Sequence, residues 1–203
     1  MAATQIRDRL IAQRVVPVLR LESAELTERA VGCLADAGYT VVEITLTTPG
    51  AVELIRRFSS RLLVGAGTVL DLDSARSCLE AGARFIVSPC VVAGLVRETH
   101  LAGCAALAGG FTPAEVLAAH REGADIVKVF PASSGGPAHL RALHAVFPDI
   151  RLCPTGGVSL DNVAAYFAAG AALVGVGNDI VDARALGAGE IARVVEHARA
   201  FLK

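Results

Sequence analysis

Only two of the 19 basic side chains in this sequence are lysines, Lys128 and Lys203. Lys203 is the last residue, where chains fray into solvent. Lys128 stands in Asp-Ile-Val-Lys-Val-Phe-Pro, whose alternation puts Ile126, Lys128 and Phe130 on one face of a strand and Val127 and Val129 on the other. The valines suit a helix-covered outer face, so the lysine points inward. An ordinary lysine amine is almost wholly charged at pH 7. Burial among apolar groups disfavours the charge, and the neutral amine attacks a ketone to form a Schiff base. The same residue also reads as one half of a structural ion pair with an internal carboxylate.

The matching acid is Glu43. In Val-Val-Glu-Ile-Thr-Leu at 41–46, Val41, Glu43 and Thr45 share the inward face, while Val42, Ile44 and Leu46 face out. A buried carboxyl is costly unless it is paired or used. Glu43 is therefore either the structural partner of Lys128 or a proton shuttle beside it, and both readings bring the two together. A shielded Glu suits the movement of protons on and off a carbinolamine and a substrate carbon.

Three further signals sit at predicted strand exits: Thr68 after Gly-Ala-Gly, Ser88-Pro89, and Phe130-Pro131. Each alone is ordinary turn chemistry; together they make a small pocket with a hydroxyl donor and an apolar wall. Cys-Pro-Thr-Gly-Gly-Val-Ser at 153–159 and Gly-Val-Gly-Asn at 175–178 form a pair of glycine-rich turns. Such a pair cradles a phosphate on backbone N–H groups and a helix N-terminus, with plain tight turns as the alternative. The five histidines fall in or beside predicted helices and show no metal-ligand spacing with acids or cysteines, so no metal or cofactor is expected.

These residues need elements to hold them. Eight short β-branched runs, at 15–19, 41–46, 62–64, 85–87, 105–108, 126–130, 151–154 and 173–176, alternate with amphipathic stretches such as 24–37 and 114–122, each stopped by a glycine. Asp-Ala-Gly-Tyr, Glu-Ala-Gly-Ala, Glu-Gly-Ala-Asp and Ala-Ala-Gly-Ala recur just ahead of strands, the mark of a repeated βα unit. The expected architecture is α/β: a single (β/α)8 TIM barrel spanning 1–203 with a short N-terminal helix near 4–13, compact beside the usual length of about 250 residues. An open doubly wound sheet is the runner-up, weakened by eight strands and the lack of G-x-G-x-x-G after the first. In such a barrel, chemistry sits where strands end.

Composition narrows the partners. With 53% hydrophobic and 19% charged residues over 203 positions, the chain has enough apolar material for one substantial core. A net charge of −1 supplies no field for nucleic acid or an anionic membrane surface. No apolar run approaches a membrane span, and the N-terminus lacks signal-peptide order, so a cytoplasmic setting is expected. Five cysteines without a C-x-x-C pair read as reduced, mostly buried thiols.

Taken in order, Val-Val-Glu-Ile-Thr-Leu, Val-Gly-Ala-Gly-Thr-Val, Phe-Ile-Val-Ser-Pro, Ile-Val-Lys-Val-Phe-Pro-Ala and Pro-Thr-Gly-Gly-Val resemble the 2-keto-3-deoxy-6-phosphogluconate aldolases, a family that includes 4-hydroxy-2-oxoglutarate and phosphogalactonate aldolases. The resemblance runs from about Val15 to the C-terminus. It implies a metal-free class I aldolase, usually a homotrimer of small barrels, acting on a small-molecule substrate. By that likeness Lys128 is the Schiff-base lysine and Glu43 the general acid/base. Thr68 contacts the pyruvate carboxylate, Pro89 and Phe130 line the pocket, and Gly156, Gly157 and Gly177 hold the phosphate, with Thr155, Gly175 and Asn178 in the same loops. Thr45 and Thr47 are counted with the substrate contacts.

Two positions depart from the family pattern: its usual Arg after Glu-x-Thr-Leu is Thr47, and its usual Ser of the eighth loop is Asn178. A cation is still required for the carboxylate. Alternation in Val-Val-Pro-Val-Leu-Arg puts Arg20 at the first strand's exit, on the face of Val16 and Val18, as the substitute. The implied reaction is cleavage of a phosphorylated 2-keto-3-deoxy sugar acid to pyruvate and glyceraldehyde 3-phosphate. The alternatives are a sugar-phosphate isomerase or epimerase on the same barrel, with Glu43 as base, and a non-catalytic phosphate-ligand binding protein.

Overall fold

The computed structural model describes residues 1–203. Eight parallel strands follow one another around the sheet: β1 Val15–Leu19, β2 Val41–Thr45, β3 Leu63–Gly67, β4 Phe85–Val87, β5 Ala105–Gly110, β6 Ile126–Val129, β7 Leu152–Pro154 and β8 Val174–Val176. Hydrogen bonding runs continuously from β7 through β1 to β8. Bridges Leu152↔Ala171 and Thr155↔Gly175 close the remaining seam. The result is the expected (β/α)8 barrel, preceded by a helix at Ala3–Gln13. No helix is long and apolar enough to cross a membrane.

Local chemistry sets the helix ends. The Ser23 side chain caps the helix Ala24–Ala37, accepting from Leu26 N at 3.1 Å, and Gly38 stops it in the left-handed region at φ 107°. Thr112 and Glu115 form a capping box at the start of Pro113–Arg121.

The strands separate two apolar layers. Val15, Leu19, Val42, Ile44, Val64, Ala66, Val127 and Val129 pack outward beneath the helices. Val16, Val41, Leu63, Phe85, Ile126 and Leu173 fill the interior together with Ile6 and Leu10 of the N-terminal helix, which plugs the barrel floor. Inward positions therefore run from apolar at the floor to polar above: Val41 then Glu43 on β2, Ile126 then Lys128 on β6.

Two strands are longer than their sequences suggest. β3 continues through Gly65-Ala66-Gly67 and β5 through Gly109-Gly110, although glycine weakens a strand. Close approach explains them. A Cβ on Gly65 would lie 2.2 Å from the Phe85 ring, one on Gly67 1.9 Å from Glu43 Oε1, and one on Gly109 2.1 Å from the Pro89 backbone. Large inward side chains on one strand thus occupy space that glycine leaves on the next.

Ile6 and Leu10 are fully buried in that floor. Leu10→Ala should lower the unfolding free energy by about 3 kcal/mol, as cavity-forming Leu substitutions do, measured as a lower urea midpoint at unchanged slope.

Candidate active site

Glu43 on β2 and Lys128 on β6 enter the barrel from opposite sides, each 4% exposed. The register sets Lys128 level with Gly109 on β5 and Cys153 on β7, and Glu43 level with Val18 on β1 and Gly65 on β3. Every salt bridge in the molecule uses an arginine or a histidine, so Lys128 is not held in an ion pair. Its Nζ lies 5.2 Å from the centre of the Phe130 ring.

Glu43 Oε1 is fully buried with no hydrogen-bond partner. Burial pushes this carboxyl above its ordinary range, while the positive charges of Lys128 and then Arg20 pull it back. The protonation of Glu43 thus depends on the charge at Lys128. A carboxyl coupled in this way changes its protonation as the charge beside it changes.

Cys153, two residues before Thr155 on the same inward face, completes the wall. Burial raises its thiol to about 11, leaving it neutral and unreactive near pH 7. Its place beside Lys128 went unread in the sequence, although the two-residue step from Thr155 carries the signal.

At the mouth, Arg20 Nη2 donates to Thr68 Oγ1 at 3.2 Å. Thr68 has a φ of 58°, uncommon for a β-branched residue, and this conformation accompanies the turn in which its hydroxyl meets Arg20. The Thr45 hydroxyl donates to Leu19 O at 3.1 Å and sits 2.9 Å from Thr47 Oγ1. These two hydroxyls tie the exits of β1 and β2 together. Pro89 packs its backbone on Gly109.

On the opposite side, Gly156 and Gly157 adopt φ values of 93° and 78°, which side chains rarely accept. The β6 exit is zipped to this loop by Ala132 N to Thr155 O and Ser133 N to Gly156 O, both 2.9 Å. Thr155 occupies the space beside Gly175, where a Cβ would come 2.4 Å from Oγ1. Leu160 N donates to the Asp179 carboxylate at 3.3 Å, joining the seventh and eighth loops. The N–H groups of Gly157, Gly177 and Asn178 donate to no acceptor of the protein. A cavity of about 740 Å3, lined in part by Arg20, Gly177, Asn178 and Arg184, opens beside them.

The helix after β8, Ala183–Gly187, is only five residues long, and Asp182 already accepts from its first N–H groups at 2.9 and 3.1 Å. A capping carboxylate repels an anion, so any cradle rests on loop N–H groups and not on that helix end. The histidines stay outside the Glu43–Lys128 cluster; His139, the one nearest the β5 and β6 exits, stacks on Phe111 at 4.4 Å. No group of three or more His, Cys, Asp or Glu converges as metal ligands do.

The chain is 42% identical over 160 residues to a 2-dehydro-3-deoxy-phosphogluconate aldolase of Pseudomonas aeruginosa, covering 76% of this chain and 72% of that protein. It is 31% identical to a 2-dehydro-3-deoxy-6-phosphogalactonate aldolase of Escherichia coli, covering 93% of each. Among solved structures, the KDPG aldolase of Legionella pneumophila, with pyruvate captured as a covalent carbinolamine intermediate, superposes with a TM-score of 0.88 at 29% identity over 97% of both chains. The KDPG and KHG aldolase family model matches residues 6–197, nearly the whole barrel that carries the buried lysine and glutamate, and the chain belongs to that family.

Proposed function

We propose that this aldolase reversibly cleaves a phosphorylated 2-keto-3-deoxy sugar acid, the gluconate form or its galactonate epimer, to pyruvate and glyceraldehyde 3-phosphate through a Schiff base on Lys128. 4-Hydroxy-2-oxoglutarate is a further substrate of the same chemistry. The observation that carries this reading is a buried lysine without an ion-pair partner, beside a carboxyl that burial favours in its neutral form. The names of the relatives from P. aeruginosa and E. coli support the two sugar acids.

In the proposed cycle the neutral Nζ of Lys128 adds to the C2 carbonyl, and Glu43 supplies the proton that lets the carbinolamine oxygen leave as water. The resulting iminium is positive, which favours the carboxylate form of Glu43. Glu43, directly or through a water it holds, then takes the C4 hydroxyl proton. The C3–C4 bond breaks, its electrons flow to the iminium nitrogen, and the aldehyde leaves an enamine of pyruvate. Glu43 returns its proton to C3, and hydrolysis frees pyruvate and the amine. Arg20 and Thr68 hold the substrate carboxylate, Phe130 and Pro89 bound the pocket, and the free N–H groups at Gly157, Gly177 and Asn178 receive the phosphate. The family resemblance also supports a homotrimer.

Borohydride added with pyruvate should fix one pyruvate-derived adduct on Lys128, located by peptide mass spectrometry. Lys128→Ala should show neither adduct nor turnover; an active Lys128→Ala enzyme overturns the mechanism.

Glu43→Gln should lower kcat by about 10²- to 10⁴-fold, the usual contribution of a general acid/base. Its stability should move the other way. Because burial raises the Glu43 carboxyl above its unfolded value, the native state loses stability as pH climbs from the unfolded carboxyl range through the raised one. The neutral variant escapes that loss, so it should gain on the parent as pH rises, read from paired urea titrations.

Arg20→Gln should raise KM for the keto acid about 10-fold or more while the adduct still forms at saturating pyruvate, as expected for the loss of a charge-assisted carboxylate contact.

A further inference from the structure

We infer that the closed end of the barrel holds a second ligand site, one that takes a phosphorylated small molecule with a planar or apolar body. A cavity of about 840 Å3 lies there, lined in part by Arg9, Gln13 and Arg14 of the N-terminal segment, Val163 and Phe167 of the helix Val163–Ala168, and Lys203. Arg14 immediately precedes β1, so this cavity is at the floor end, across the packed interior from the mouth where Lys128 emerges. Its volume falls within the ordinary range of small-molecule sites.

The charge balance of the cavity is one-sided. No aspartate or glutamate lines it, and neither Arg9 nor Arg14 takes part in a salt bridge. The cationic lining comes from these two guanidinium groups and the Lys203 side chain. Arginine presents a planar fork of donors that matches a phosphate.

The site is also built to hold its shape. The Arg14 guanidinium is stacked 4.2 Å over the Phe167 ring, which orients it before any ligand arrives. Gln13 fastens the floor beneath: its amide donates to Val15 O at 3.1 Å and Val41 O at 3.0 Å, and its oxygen accepts from Thr40 N at 2.8 Å and Val41 N at 2.9 Å. Phe167 and Val163 supply the apolar wall for the body of the ligand.

Arg14 moreover stands where the backbone favours glycine. It caps the N-terminal helix with φ 64° and ψ −46°, a conformation that L side chains rarely adopt, whereas the helix Ala24–Ala37 uses Gly38 at the same kind of position. A long cationic side chain at a position suited to glycine is accounted for by what its guanidinium binds.

Isothermal titration of the full chain with adenosine monophosphate, and with inorganic phosphate alone, tests this. The nucleotide should bind more tightly than phosphate. Arg9→Gln and Arg14→Gly should each weaken nucleotide binding at least tenfold, with retro-aldol kcat/KM within twofold of the parent. Arg14→Gly should also keep its Tm, since glycine accepts that backbone. Asn178→Asp, which sets a like charge at the mouth cradle, should leave nucleotide binding unchanged. The inference is overturned if the parent binds no nucleotide, if both arginine variants bind as the parent does, or if Asn178→Asp removes the binding.

Discussion

The organising constraint of this molecule is the burial of a glutamate and a lysine inside one barrel without an ion pair between them. Taking either charge out of water costs several kcal/mol unless it is compensated. Direct pairing would repay that cost and fix both groups in their charged forms. Here Glu43 Oε1 is left without a partner and its carboxyl is raised mainly by burial. The uncompensated cost thus appears as a carboxyl ready to hold a proton and an amine free of a counterion. Stability is given up at the point where the proposed mechanism moves a proton, the pattern expected of a working site.

The remainder of the fold makes that arrangement affordable. The barrel floor is sealed by Ile6 and Leu10 over Phe85, Leu63 and Ile126, so the polar level above it is reached from the mouth. Glycine on β3 is the second requirement. Gly65 admits the Phe85 ring and Gly67 admits the Glu43 carboxyl, so the acid lies against the neighbouring strand.

Much of this was legible in the sequence, for definite reasons. Two-residue alternation assigned Lys128 and Glu43 to the interior because β-strand side chains alternate strictly, and the glycine after Ala24–Ala37 marked its end because that position needs a left-handed backbone. Legibility ended where the deciding contact is between distant segments. β3 was cut short at residue 64 because the reason for Gly65 and Gly67 lies on β4 and β2. The capping role of Asp182 was hidden because the short helix Ala183–Gly187 carries too little periodicity to announce itself. Whether Glu43 would bind Lys128 or stand off was likewise undecidable from alternation, which gives the face of a side chain and not its reach.

The exchange of a cation between strands illustrates how a barrel tolerates such change. By the resemblance the family pattern has an arginine at the position of Thr47, and in the proposed mechanism Arg20 at the end of β1 takes its role. β1 and β2 are neighbours in register, Val18 beside Glu43 and Leu19 beside Ile44, so their exits open onto the same patch of the mouth. Arg20 reaches Thr68 from there and acts on Glu43 electrostatically. Thr47, relieved of a charge, joins Thr45 in tying the β2 exit to the Leu19 carbonyl, one residue before Arg20. The two threonines thereby brace the strand end that carries Arg20. In the proposed carboxylate site the guanidinium is that of Arg20, held beside Thr68 at the mouth.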